Sequence, residues 1–71
     1  MAKNKIENKI RQLRFDNGQM TQSDLASKVK VTRQTILSLE AGRYSPSLEL
    51  AFRIARTFQV PLEEVFQYSS N

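Results

Sequence analysis

Apolar residues recur along this chain at helical spacing. Ile6, Ile10 and Leu13, with Asn17 in the same register, predict a first helix from about residue 6 to a stop at Gly18. Leu25 and Val29, four apart, predict a second over about 22–29, with Met20 packing ahead of it. Ile36 and Leu39, three apart, predict a third over about 33–41, closed by Gly42. Leu50, Ala51, Ile54, Ala55 and Phe58 draw an apolar stripe on a fourth helix, capped by Ser47 and ending near Phe58. Phe52 lies off that stripe, and periodicity gives it no place. Val60-Pro61 introduces a last short helix, Leu62 to about Phe66, followed by a polar tail from Gln67 to Asn71. With a basic arm at Met1 to Lys5, the pattern predicts an all-α domain of five short helices around one core.

The organising stretch is 22–41, QSDLASKVKVTRQTILSLEA. Between its two helices, Lys30-Val31-Thr32 leaves room only for a tight turn. Thr21 and Thr32 suit the N-cap positions, because a threonine hydroxyl accepts a hydrogen bond from a free first-turn amide. Thr21 and Asp24 approximate a capping box, with Asp in place of the stronger Glu. Ala26 faces the junction, where a larger side chain would push the helices apart. Helix, tight turn and steeply angled helix make the helix-turn-helix unit of DNA-binding proteins.

With about 100° per residue, Ile36 and Leu39 point inward from the third helix. Gln34, Leu37, Ser38 and Ala41 point outward, with Arg33 at the flank. Arginine matches the O6 and N7 of guanine, and glutamine the N6 and N7 of adenine. Arg33 and Gln34 stand at the helix N-terminus, the end that reaches base edges in such proteins. They are the candidate base readers, joined by Ser38 and by Leu37, which suits a thymine methyl. Candidate phosphate contacts flank them: Gln22 among the free amides of the second helix, Thr32 and Thr35, and Arg43 and Tyr44 in the loop beyond. Lys28 and Lys30 are further candidates, whereas Lys9, Arg11, Arg53 and Arg56 read as solvated.

At 71 residues the chain is expected to be one small domain, residues 1–71, without room for an effector-binding or catalytic domain. Its formal charge of +4 favours a polyanionic partner. After Thr57 the charged residues are Glu63 and Glu64 alone, so the basic surface belongs to the earlier part. Cysteine and histidine are both absent, which removes thiol nucleophiles, disulfides, His/Cys zinc sites and histidine general bases. Catalytic residues, metals and cofactors are therefore not expected. The opening MAKNKIENK has no apolar run, so neither a signal peptide nor a membrane span is expected; a cytoplasmic location is expected, and the lack of cysteine suits it.

Several phrases carry a family resemblance: Thr21-Gln22, Leu25-Ala26, Thr32-Arg33-Gln34-Thr35-Ile36 and Leu39-Glu40-Ala41-Gly42. Tyr44-Ser45-Pro46-Ser47-Leu48, Ile54-Ala55 and Leu62-Glu63-Glu64-Val65-Phe66 extend it. Over roughly residues 6–68 the chain resembles the Cro/CI-type (Xre) helix-turn-helix family of prokaryotic and phage repressors. The resemblance implies a five-helix, lambda-repressor-like domain that binds double-stranded DNA. It also implies a structural bridge from Arg14 to Glu40, a backbone contact at Gln22, and a transcriptional regulator, most often a dimeric repressor on a palindromic operator. A homodimer interface is expected in 62–71, where Leu62, Val65, Phe66 and Tyr68 are apolar beyond the needs of a small core. The alternative is an antitoxin that binds a toxin protein and autoregulates its operon. Two departures stand out: Lys30, where the family usually has glycine, and Gln19-Met20, one residue longer than the commonest spacing.

Overall fold

Three hydroxyls decide where helices begin. In a computed structural model that describes residues 5–43 and 45–69, the chain runs β1 (Ile6–Asn8), α1 (Ile10–Asp16), α2 (Gln22–Val29), α3 (Arg33–Glu40), α4 (Leu48–Phe58), α5 (Leu62–Val65) and β2 (Phe66–Tyr68). The Thr21 hydroxyl accepts from the Asp24 amide at 2.9 Å, and the Asp24 carboxylate accepts from the Thr21 amide at 3.1 Å, a complete capping box. Thr32 accepts from the Thr35 amide at 3.2 Å, and Ser47 from the Leu50 amide at 3.1 Å.

Three helix ends share one device as well. Lys30, Gly42 and Gln59 turn left-handed, with φ of 64°, 73° and 58°. The next amide then reaches the carbonyl five residues back: Val31 to Ala26 at 3.0 Å, Arg43 to Ser38 at 3.0 Å, Val60 to Ala55 at 3.1 Å. Lys30 therefore does take the glycine conformation, at a cost of about 1 kcal/mol. The extra residue ahead of α2 is absorbed by successive left-handed residues, Gly18 and Gln19, with φ of 77° and 58°.

The helices close over one core. Ile10, Leu25, Val29, Ile36, Leu39, Ile54 and Val65 are its fully buried large side chains. Phe52 is half exposed on the outer side of α4, consistent with its place off the stripe.

The two ends of the chain differ from the helical expectation. Ile6 is not on α1 but in β1, which pairs antiparallel with β2: Ile6 with Tyr68, Glu7 with Gln67, Asn8 with Phe66. Phe66 likewise leaves the last helix, and the expected polar tail supplies a strand through Gln67 and Tyr68. The reason is a set of hydrogen bonds that one-dimensional spacing does not contain. Asn8 accepts from the Ile10 amide at 3.2 Å and donates from Nδ2 to the Leu39 carbonyl at 2.9 Å. The Lys9 amide donates to the Val65 carbonyl at 2.9 Å. These bonds stop α1 at Ile10 and hold the preceding residues extended beside β2.

Candidate nucleic-acid interface

α2 and α3 meet across the turn at Lys30–Thr32, with Ala26 buried at the contact. A third element fixes this pair. Arg14 on α1 is 7 % exposed, and its guanidinium donates from Nε to Glu40 Oε2 at 2.7 Å and from Nη2 to Oε1 at 3.0 Å. Its Nη1 donates to the Met20 carbonyl at 2.8 Å, just ahead of α2. Glu40 Oε1 also accepts from Gln22 Nε2 at 3.2 Å. One carboxylate thus ties α1, the start of α2 and the end of α3 together, in a forked geometry that lysine cannot reproduce.

The outer face of α3 is what this scaffold presents. Arg33, Gln34 and Ala41 are exposed, while Leu37 and Ser38 are partly buried along the same face. Glu40 is the helix's acid, and its charge is already matched by Arg14, so the face carries the positive charge of Arg33. Thr32 and Thr35 sit together at the N-terminus of α3, their hydroxyls 3.0 Å apart. Gln22 opens α2, with its amide oriented by Glu40, and lines a groove with Arg33. Arg43 is exposed past the end of α3, and Tyr44 lies outside the described residues. Lys28, Lys30, Lys9, Arg11 and Arg56 are exposed. In the capping box, the backbone N–H of Thr21, followed by its side chain, holds the Asp24 carboxyl below the usual carboxylate range.

Two supporting residues carry roles that spacing did not reveal. Asn8 holds the carbonyl of Leu39 in the last turn of α3. Arg53, expected to be solvated, donates from Nη1 to the Val29 carbonyl at 3.2 Å and so caps α2, while its Nη2 pairs with Glu49 at 2.7 Å. An arginine one turn after an acid on α4 hints at the Glu49 pair; the Val29 contact spans the fold and has no local signal.

The expected dimer cluster is divided by burial. Val65 has no exposed surface and completes the protomer's own core, so it cannot face a partner. Leu62 and Phe66 are partly buried against that core. Tyr68 is 69 % exposed.

The helix-turn-helix family matches residues 10–65, the span that contains every helix described above. The chain belongs to this family. An HTH-type transcriptional regulator of Methanocaldococcus jannaschii is 46 % identical over 66 residues, covering 93 % of this chain and 98 % of that protein. The cryptic phage CTXphi transcriptional repressor RstR of Vibrio cholerae is 34 % identical over 60 residues, 84 % of this chain and 53 % of that one. Among solved structures, the clp gene regulator ClgR from Corynebacterium glutamicum superposes with a TM-score of 0.71 at 27 % identity, over 78 % of this chain and 57 % of that one. Within this helix-turn-helix chain, α2 and α3 are the motif's two helices, and no helix among the described residues is long and apolar enough to cross a membrane.

Proposed function

We propose that this protein is a sequence-specific, double-stranded DNA-binding transcriptional regulator, acting in the cytoplasm as a dimeric repressor on a palindromic operator. The observation that carries the reading is the outward face of α3. Arg33 and Gln34 stand exposed at its N-terminal turn, on a helix that Glu40, Asn8 and Thr32 hold in place. Gln22, Thr32, Thr35 and Arg43 contact phosphates and fix register, while Arg33, Gln34, Leu37 and Ser38 read bases in the major groove. A single α3 covers few base pairs, and two of them about 34 Å apart read a palindrome. Tyr68, with the exposed edges of Leu62 and Phe66, is the surface assigned to the partner protomer. The repressor sense is supported by the relative named as a phage repressor.

The test is to select duplexes from random sequence and titrate variants against the preferred site and its single-base changes. Arg33→Ala should lose about 1–3 kcal/mol on the preferred site and relax preference at one base pair. Arg33→Lys should keep some affinity and less discrimination, because an ammonium lacks the planar fork. Arg43→Ala should weaken all sequences alike and reduce the salt slope by about one unit. Equal loss on every sequence for Arg33→Ala would make that residue a phosphate contact and overturn its role as a reader.

A further inference from the structure

Phe15 is out of place on a purely structural helix. It is 51 % exposed, on the outer side of α1, and it lies between two open grooves. Arg11, Gln22 and Leu37 border the first; Thr21, Gln22 and Arg33 border the second. The ring therefore stands beside the N-terminus of α2, with Leu37 and Glu40 of α3 across one groove and Arg33 across the other. The guanidinium carbons of Arg11 and Arg14 each lie 5.7 Å from its centroid. Arg14 spends its charge on Glu40, whereas Arg11 is exposed and makes no ion pair among the described residues.

We infer that α1 is part of the nucleic-acid interface, with Phe15 packing on a deoxyribose of the DNA strand that α2 crosses and Arg11 on the adjoining phosphate. The inference rests on the DNA-binding reading and adds an element to it. In helix-turn-helix docking the helix before the recognition helix crosses the sugar–phosphate backbone. The N-terminus of α2 is then the part of the molecule closest to that strand, and Phe15 borders the same grooves as Gln22. A deoxyribose offers an apolar face beside a charged phosphate, matching an exposed ring with a cation stacked over it. A second copy of this chain fits the site less well, since Arg11 and Arg33 would meet the same cations. The aromatic contact adds affinity without sequence preference, because every nucleotide carries the same sugar.

Fluorescence anisotropy against two labelled duplexes tests this: one selected from random sequence by the wild-type protein, and a scrambled duplex of equal length. Phe15→Ala should weaken binding to both by the same factor, about three- to tenfold, with an unchanged salt slope. Arg11→Gln should lower that slope by about 0.9. Thermal melts of both variants should stay near wild type, since neither side chain is buried. If both variants bind as wild type does while Arg33→Ala loses base preference, the α1 contact is wrong and the DNA-binding reading stands. Loss confined to the selected duplex for Phe15→Ala would make the ring a base reader and also overturn the inference. A wild-type protein that binds neither duplex removes the DNA-binding reading itself.

Discussion

Replacing Glu40 by alanine should remove a large share of the protein's stability. The change strips both acceptors from Arg14 Nε and Nη2, leaving only the bond from Nη1 to the Met20 carbonyl. It also frees the Gln22 amide. The two charged side chains are 9 % and 12 % exposed, so the orphaned guanidinium recovers little water. Breaking a buried pair by removing one partner costs about 3–5 kcal/mol; the residual exposure argues for the lower end, about 3 kcal/mol. For 71 residues the whole stability is about 4–11 kcal/mol at roughly 0.05–0.15 kcal/mol per residue. At about 4–8 °C per kcal/mol for a domain of this size, the melting temperature should fall by roughly 12–24 °C. Urea denaturation followed by far-UV circular dichroism measures the free energy directly, and an unchanged m-value would show that the two-state transition survives. The double variant Arg14→Met, Glu40→Met should be more stable than Glu40→Ala, because it removes the unpaired charge together with its partner. A melting shift below about 4 °C for Glu40→Ala, the scale of about 0.5 kcal/mol usual for a surface change, would refute the view that this pair holds α1 to α3.

The folded Asp24 carboxyl titrates below its ordinary value of 3.8, so its capping contribution is complete above that value and disappears as pH falls through the folded one. Melting temperature against pH should therefore drop more steeply for wild type than for Asp24→Asn in the acid range, and parallel curves would remove the assignment. Lys30→Gly, at φ 64°, should gain up to about 1 kcal/mol by relieving left-handed strain; a melt at or below wild type would show the strain to be absent. Tyr68→Glu should convert the proposed dimer to a monomer in sedimentation equilibrium without lowering the melting temperature of the fold, whereas a charge at Phe66 would disturb the core it packs against.

Most of the helical architecture was legible because it depends on local chemistry. Thr21, Thr32 and Ser47 act on amides three residues ahead, and Leu25, Val29, Ile36 and Leu39 share faces set by the helix repeat. Such relations lie within one or two turns. The failures concern partners far apart in sequence. Ile6 has helical spacing to Ile10, but Asn8 bonds to Leu39, 31 residues away, and β1 pairs with residues at the other end of the chain. Val65 shows the same limit for the site. Its type and neighbours suit an exposed interface as well as a core, and only the closing of α5 against α4, with the Lys9 amide bonded to the Val65 carbonyl, buries it. The Arg14–Glu40 pair spans 26 residues and came from family resemblance, not from any rule of spacing.

These long-range contacts also explain how α3 presents its outer face. An isolated helix of fewer than about 12–15 residues is marginal in water, and α3 has eight. Its existence as an ordered helix is therefore a product of its tethers. Thr32 caps its first turn, Ile36 and Leu39 anchor its inner face, Glu40 is gripped by Arg14, and the Leu39 carbonyl accepts from both Asn8 and the Gly42 amide. Each acts on a different part of the helix, and the exposed side chains of Arg33 and Gln34 are not among these tethers. The outward side chains are left free to be chosen for recognition, while the backbone that carries them is ordered before any partner arrives. Ordering that backbone on binding would subtract from affinity, and here it is completed by folding. Asn8→Ala tests the separation: it should loosen the last turn of α3, with faster amide exchange at Gly42 and Arg43, while the capped first turn keeps its protection.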